Sequence, residues 1–142
     1  MTVAKVAVEN TVYHFDKAFD YRVPEPLLQK ALPGCRVLVP FGTANARRQG
    51  IILGRSESDG GAGGKLKSVE SVLDREPLLT PEALLMIPWI AERTFCTLFD
   101  AARLFFPAGI LFKIRTEYLP AGPAAELLEK TPDAEERRVI EY

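Results

Sequence analysis

The chain is poor in the residues that build most metal and catalytic centres. In 142 residues it has two cysteines, one histidine and one tryptophan. Cys35 and Cys96 stand far apart, lack a Cys-x-x-Cys spacing and have apolar neighbours. Buried free thiols are therefore expected, with no disulfide and no zinc site. His14 lies between Tyr13 and Phe15, with no serine or cysteine that the sequence pairs with it. Asp16 and Asp20 are four residues apart in non-helical sequence, a spacing that does not join them as general acid and base. No catalytic residue is assigned. No apolar run approaches the roughly twenty residues of a membrane span, and Met1 to Val6 contains no core of signal-peptide length. A cytoplasmic protein without membrane contact is expected.

A phosphate-cradling loop is also missing. Gly60-Gly61-Ala62-Gly63-Gly64-Lys65 has the composition of one, but counting back from Gly64-Lys65 puts Asp59 where the first glycine belongs. Leu66 replaces the hydroxyl residue that would hold magnesium. The segment reads as a flexible loop, and no ATP, magnesium or other cofactor is expected on this chain.

What is present is an ordinary globular composition, 47% apolar and 26% charged. The net charge of −1 conceals an asymmetry: residues 1–75 carry eleven Lys/Arg against eight Asp/Glu, and residues 76–142 seven against eleven. The basic side chains of the first part include Arg36, Arg47, Arg48, Arg55, Lys65 and Lys67. Six cations suit a short nucleic-acid contact better than a long wrapped duplex.

Hydrophobic alternation predicts strands over Val3–Val8, Phe19–Val23, Gly34–Phe41, Gln49–Arg55 and Leu66–Leu73. Pro40 ends the third or places it at a sheet edge. Thr80-Pro81-Glu82 is a strong helix start. Pro88 is expected to kink the following helix into two pieces, with Leu84, Leu85, Ile87, Trp89 and Ile90 against the sheet. A further helical piece is expected over Leu98–Phe106. The fold class is α+β: a small antiparallel β-barrel-like sheet with a kinked helix over residues 1–109. Residues 110–142 read as a connecting strand over 110–118, a short helix over 124–130 and a capped start at Thr131-Pro132-Asp133, the opening of an incomplete second domain. Its last part, 120–142, has too little apolar surface to fold alone and is expected to fray.

Phe19-Asp20-Tyr21, the run from Gly34 to Gly42, Leu66-Lys67-Ser68-Val69 and Leu104-Phe105-Phe106-Pro107 occur in an order and spacing that resembles the start of the PriA family of replication-restart helicases. The resemblance covers about residues 3–107. It implies a module that binds the 3′-hydroxyl end of a nascent leading strand at a stalled fork. It implies a pocket for the terminal nucleotide built from Phe19, Asp20, Gly42 and Lys67, and the start of a winged-helix domain after residue 110. Arg36, Arg47, Arg48 and Lys65 are the expected phosphate contacts. The resemblance further implies that the helicase motor, its ATP and magnesium, and a zinc module belong to parts of the family's proteins beyond Tyr142, and that single-strand DNA-binding protein and primosome proteins are partners. Two rival readings stay open: a general nucleic-acid-binding β-barrel without end preference, and a protein interaction domain using the apolar surface of residues 84–106.

Overall fold

Short β-branched runs broken by glycine, proline and polar turns pair into one five-stranded antiparallel sheet. The computed structural model describes residues 1–59 and 65–110. The expected glycine loop at 60–64 lies outside the described residues, as do the strand from residue 111 on, the helix at 124–130, the winged-helix-like start and the fraying expected of 120–142. The strands are β1 (Thr2–Val8), β2 (Phe19–Arg22), β3 (Arg36–Phe41), β4 (Ala46–Glu57) and β5 (Ser71–Val72), in the spatial order β2-β1-β4-β3-β5. Among the described residues two α-helices follow, α1 (Pro81–Thr94) and α2 (Leu98–Arg103).

The sheet curls because one segment reaches both of its edges. Around Ser68 the chain forms a parallel bridge with Arg22: Arg22 N–H donates to Lys67 C=O and Val69 N–H to Arg22 C=O, both at 2.9 Å. One residue later it changes partner, with Glu70 N–H on Leu38 C=O at 2.9 Å and β5 paired to Val37 and Leu38. The strand expected over Leu66–Leu73 is thereby reduced to two residues, since hydrogen bonding is shared between β2 and β3. The sheet is strongly curled but is not a closed barrel of continuous ladders. Tyr21, 3% exposed, adds a tie across the interior by donating its hydroxyl to Pro40 C=O at 2.9 Å. Pro40 lies in β3 beyond the reach of β5, where its missing N–H costs no ladder bond on that side.

Strand alternation divides the apolar residues between two clusters. Ala4, Val6, Val8, Tyr21, Val37, Val39 and Ile52 fill the curled interior. Ala7 and Ile51 face the other way, onto Ile87, Phe99 and Ala102 of the helices. Both faces of β1 are thus covered, and Lys5 is its one exposed residue.

Thr80 caps α1 as its sequence predicts, its hydroxyl accepting from Ala83 N–H at 3.2 Å. α1 then passes through Pro88 without the expected division. The ring sits on the exposed side, and only one backbone hydrogen bond is forgone. The interruption falls instead at Phe95, in the left-handed region at φ 53°. α1 turns Ala83, Ile87 and Ala91 into the cluster it shares with Phe99, Ala101 and Ala102 of α2 and with Ala7 and Ile51 of the sheet, a narrow stripe in which alanines allow close helix packing. Leu85 and Trp89, expected in the core, point outward at 79% and 54% exposure. Thr97 caps α2 by accepting from Asp100 N–H at 3.2 Å. Among the described residues no helix is long and apolar enough to cross a membrane.

Candidate nucleic-acid interface

The two sheet edges leave a mouth between them, and that mouth is a cavity of about 500 Å³. β2 contributes Phe19, Asp20 and Tyr21, and the end of β3 contributes Phe41 and Gly42. Lys65, Leu66 and Lys67 close the side that crosses toward β5, and Lys17 and Ala18 precede β2 at the rim. The four pocket residues expected from sequence, Phe19, Asp20, Gly42 and Lys67, therefore line one cavity. Its volume lies in the range that holds a nucleotide-sized ligand.

Aromatic walls form one side. Phe19 and Phe41 meet edge to face with ring centroids 5.0 Å apart. Lys17 Nζ lies 5.6 Å from the Phe19 centroid, and the Arg48 guanidinium 4.7 Å from that of Phe41. Sequence reasoning missed Phe41 and Lys17. The available signals were local: an aromatic beside Gly42, and a cation two residues before Phe19.

Asp20 is half-exposed and forms an ion pair with Lys5 at 3.2 Å through Oδ1. Among the described residues no donor meets its Oδ2. Lys67 does not partner Asp20; its ammonium donates to Gly42 C=O, which also accepts from Asn45 N–H at 3.3 Å. Gly42 has φ +74°, a conformation that disfavours side chains, and an added Cβ would meet nothing within 4 Å. Glycine is required there for the turn that aims the Gly42 carbonyl at Lys67, while the space beside it stays open.

The expected phosphate contacts separate into distinct environments. Arg47 is exposed and pairs with Glu70 at 2.8 Å. Arg48 is held over Phe41 and donates to Asn10 C=O at 3.1 Å. Lys65 is exposed on the cavity rim. Arg36 is different: it is 6% exposed, its NH2 group lies 2.7 Å from Asp74 Oδ1, and NH1 donates to Ile110 C=O at 2.6 Å. Arg36 is thus a structural clamp and not a surface cation. Its charge signature in sequence is the same as that of Arg47, so burial alone distinguishes them.

The remaining polar residues are structural or exposed. Asp16 accepts from the Thr11 hydroxyl and from Leu98 N–H, both at 2.7 Å, bracing the start of α2. His14 is exposed. Cys35 is buried and Cys96 partly so, both as free thiols. Among the described residues no group of three or more His, Cys, Asp or Glu is arranged to hold a metal ion. Burial pushes the Cys35 thiol above its ordinary range, and burial also raises the Tyr21 phenol, opposed by nearby Arg48.

Residues 5–107 match the family described as the 3′DNA-binding domain of PriA. The chain is 32% identical over 117 residues to the replication restart protein PriA of Bacillus subtilis, covering 82% of this chain and 14% of that protein. It is 38% identical over 98 residues to the probable replication restart protein PriA of Mycobacterium tuberculosis, covering 69% of this chain and 14% of the relative. With the replication restart protein PriA of Treponema pallidum it shares 35% identity over 97 residues, 66% of this chain and 14% of that protein. The chain thus spans about one seventh of the length of these relatives, and the matched part is a binding domain, not a catalytic one. A curled sheet with a cation-rimmed aromatic cavity accords with that description, and the chain belongs to the PriA 3′DNA-binding domain family.

Proposed function

We propose that the cavity receives the terminal nucleotide of a DNA strand ending in a 3′-hydroxyl. The observation that carries this reading is the placement of the Asp20 carboxylate on a cavity otherwise rimmed by Lys17, Lys65 and Lys67. A carboxylate accepts from a hydroxyl or an exocyclic amine and repels a terminal phosphate. Phe19 and Phe41 offer apolar surface to a base without reading its identity. An internal nucleotide has no free end to insert, so strand ends are selected without sequence readout.

On this reading residues 1–109 are the end-binding domain, and residues 110–142 lead into a winged-helix-like domain. The natural target is the nascent leading strand at a stalled fork. The domain would orient a helicase motor, located elsewhere in a full-length protein together with its ATP, magnesium and zinc, for primosome assembly in the cytoplasm. Single-strand DNA-binding protein and primosome proteins would be its partners there. The outward-facing Leu85 and Trp89 support a second reading, a protein contact on α1.

The test is fluorescence anisotropy with matched oligonucleotides ending in 3′-hydroxyl or 3′-phosphate. Wild type should prefer the hydroxyl end, and Asp20→Ala should narrow the preference. An unchanged ratio removes Asp20 from the role.

A further inference from the structure

Lys5 is an anomaly within β1. Every other residue of that strand is buried or partly buried, yet Lys5 is exposed at its centre. Three features surround it. Its register partner on β2 is Asp20, so the two side chains stand side by side across the ladder, and Nζ lies 3.2 Å from Oδ1. Its partner on β4 is Gly54, where an added Cβ would meet nothing within 4 Å, so no side chain competes for the ammonium from that flank. The β1–β4 register also shifts between Lys5 and Val6, a bulge of the kind that re-aims side chains beside functional sites.

Stability does not account for this arrangement. The two side chains are 53% and 47% exposed, and an ion pair that accessible adds little to folding. What it does fix is geometry. With Oδ1 engaged by Lys5, the carboxylate is biased toward one orientation, and among the described residues Oδ2 is the oxygen left to accept from a ligand. Lys5 itself does not line the cavity.

We infer that Lys5 is a positioning residue: it orients the Asp20 carboxylate so that Oδ2 accepts the terminal hydroxyl, and thereby sets the discrimination between 3′-hydroxyl and 3′-phosphate ends. This rests on the end-binding reading above. Lys5 acts through Asp20 and not on the DNA.

The experiment measures Kd by anisotropy for both ends, with the 142-residue chain as wild type, Lys5→Ala, Lys5→Arg, Asp20→Asn and the Lys5→Ala/Asp20→Asn double variant. Lys5→Ala should lower the hydroxyl-over-phosphate ratio about threefold, the scale of one exposed ion pair. Lys5→Arg should keep the ratio, and Lys5→Ala should add no further loss once Asp20 is Asn. Lys5→Gln serves if the alanine variant does not fold. A direct phosphate contact gives other results, which overturn the inference: both ends weakened equally with a flatter salt dependence, or a ratio that rises because the phosphate end loses more. If wild type prefers the hydroxyl end and Lys5→Ala preserves that preference, the positioning role alone falls. If wild type shows no preference, the end-binding reading falls first and this inference with it.

Discussion

The Lys67 ammonium donates to the Gly42 carbonyl, joining the segment that leads into β5 to the turn between β3 and β4. That bond closes one side of the cavity mouth. Lys67 retains two further protons with which to meet a phosphate. Lys67→Met should weaken DNA binding at both kinds of end by about fivefold, combining the removal of a cation and a loosened rim. Thermal stability should be almost unaffected, because the bond is exposed. A titration with unchanged Kd would remove Lys67 from the interface.

Arg36 and Asp74 should behave in the opposite way. Their pair is 7% exposed on each side, and Asp74 also accepts from Arg36 N–H at 2.8 Å. Asp74→Asn takes the carboxylate away from a buried guanidinium, so it should cost about 3 kcal/mol in urea unfolding. Folded Asp74→Asn protein should retain the wild-type salt dependence of DNA binding. A steeper dependence would count Arg36, released from Asp74, as a phosphate contact.

Arg47 is exposed on the β3–β4 hairpin, whereas its neighbour Arg48 is partly buried over Phe41. Substituting either with alanine should weaken binding to hydroxyl, phosphate and internal DNA alike. The slope of log K against log salt should shrink by about one for each phosphate that is no longer neutralised. An effect confined to one type of end would contradict this division from Asp20.

Stability should decline in alkali. The Cys35 thiol and the Tyr21 phenol both titrate above their ordinary values of 9.0 and 10.0 in the folded protein, chiefly through burial. Both are neutral when protonated, so as pH rises the unfolded chain releases these protons first. Their contribution is complete below about pH 9 and is lost as pH climbs through the folded values. Urea unfolding from pH 7 to 10.5 should show this decline, flattened in Cys35→Ala. Identical pH profiles for the variant and wild type would refute the assignment to Cys35.

The local elements were legible because their signals are local. Thr80-Pro81 caps a helix through its own hydroxyl and a pre-set φ, and Phe19–Arg22 and Arg36–Phe41 alternate as strands must. The extent of the fifth strand was not legible, because Lys67–Val72 divides its hydrogen bonds between two edges that meet only after the sheet curls. The buried face of α1 was misjudged for a related reason: Leu85 and Trp89 are more apolar than Ala83 and Ala91, but packing against α2 and its alanines favours the small stripe.

By itself the sequence determined the antiparallel strands, the capped helices, the lack of metal-ligand spacing and, through ordered motifs, the family; it named Phe19, Asp20, Gly42 and Lys67 as candidates, which the fold brings to one cavity. Tertiary structure decided which charges are available. Arg36, Arg47 and Lys5 are each a cation in or beside a strand, yet one is clamped inside, one pairs at the surface and one stands beside Asp20. Charge is carried by the residue, whereas burial and partner depend on strand register and on how two sheet edges come together. Those are long-range relations that no local window of sequence contains.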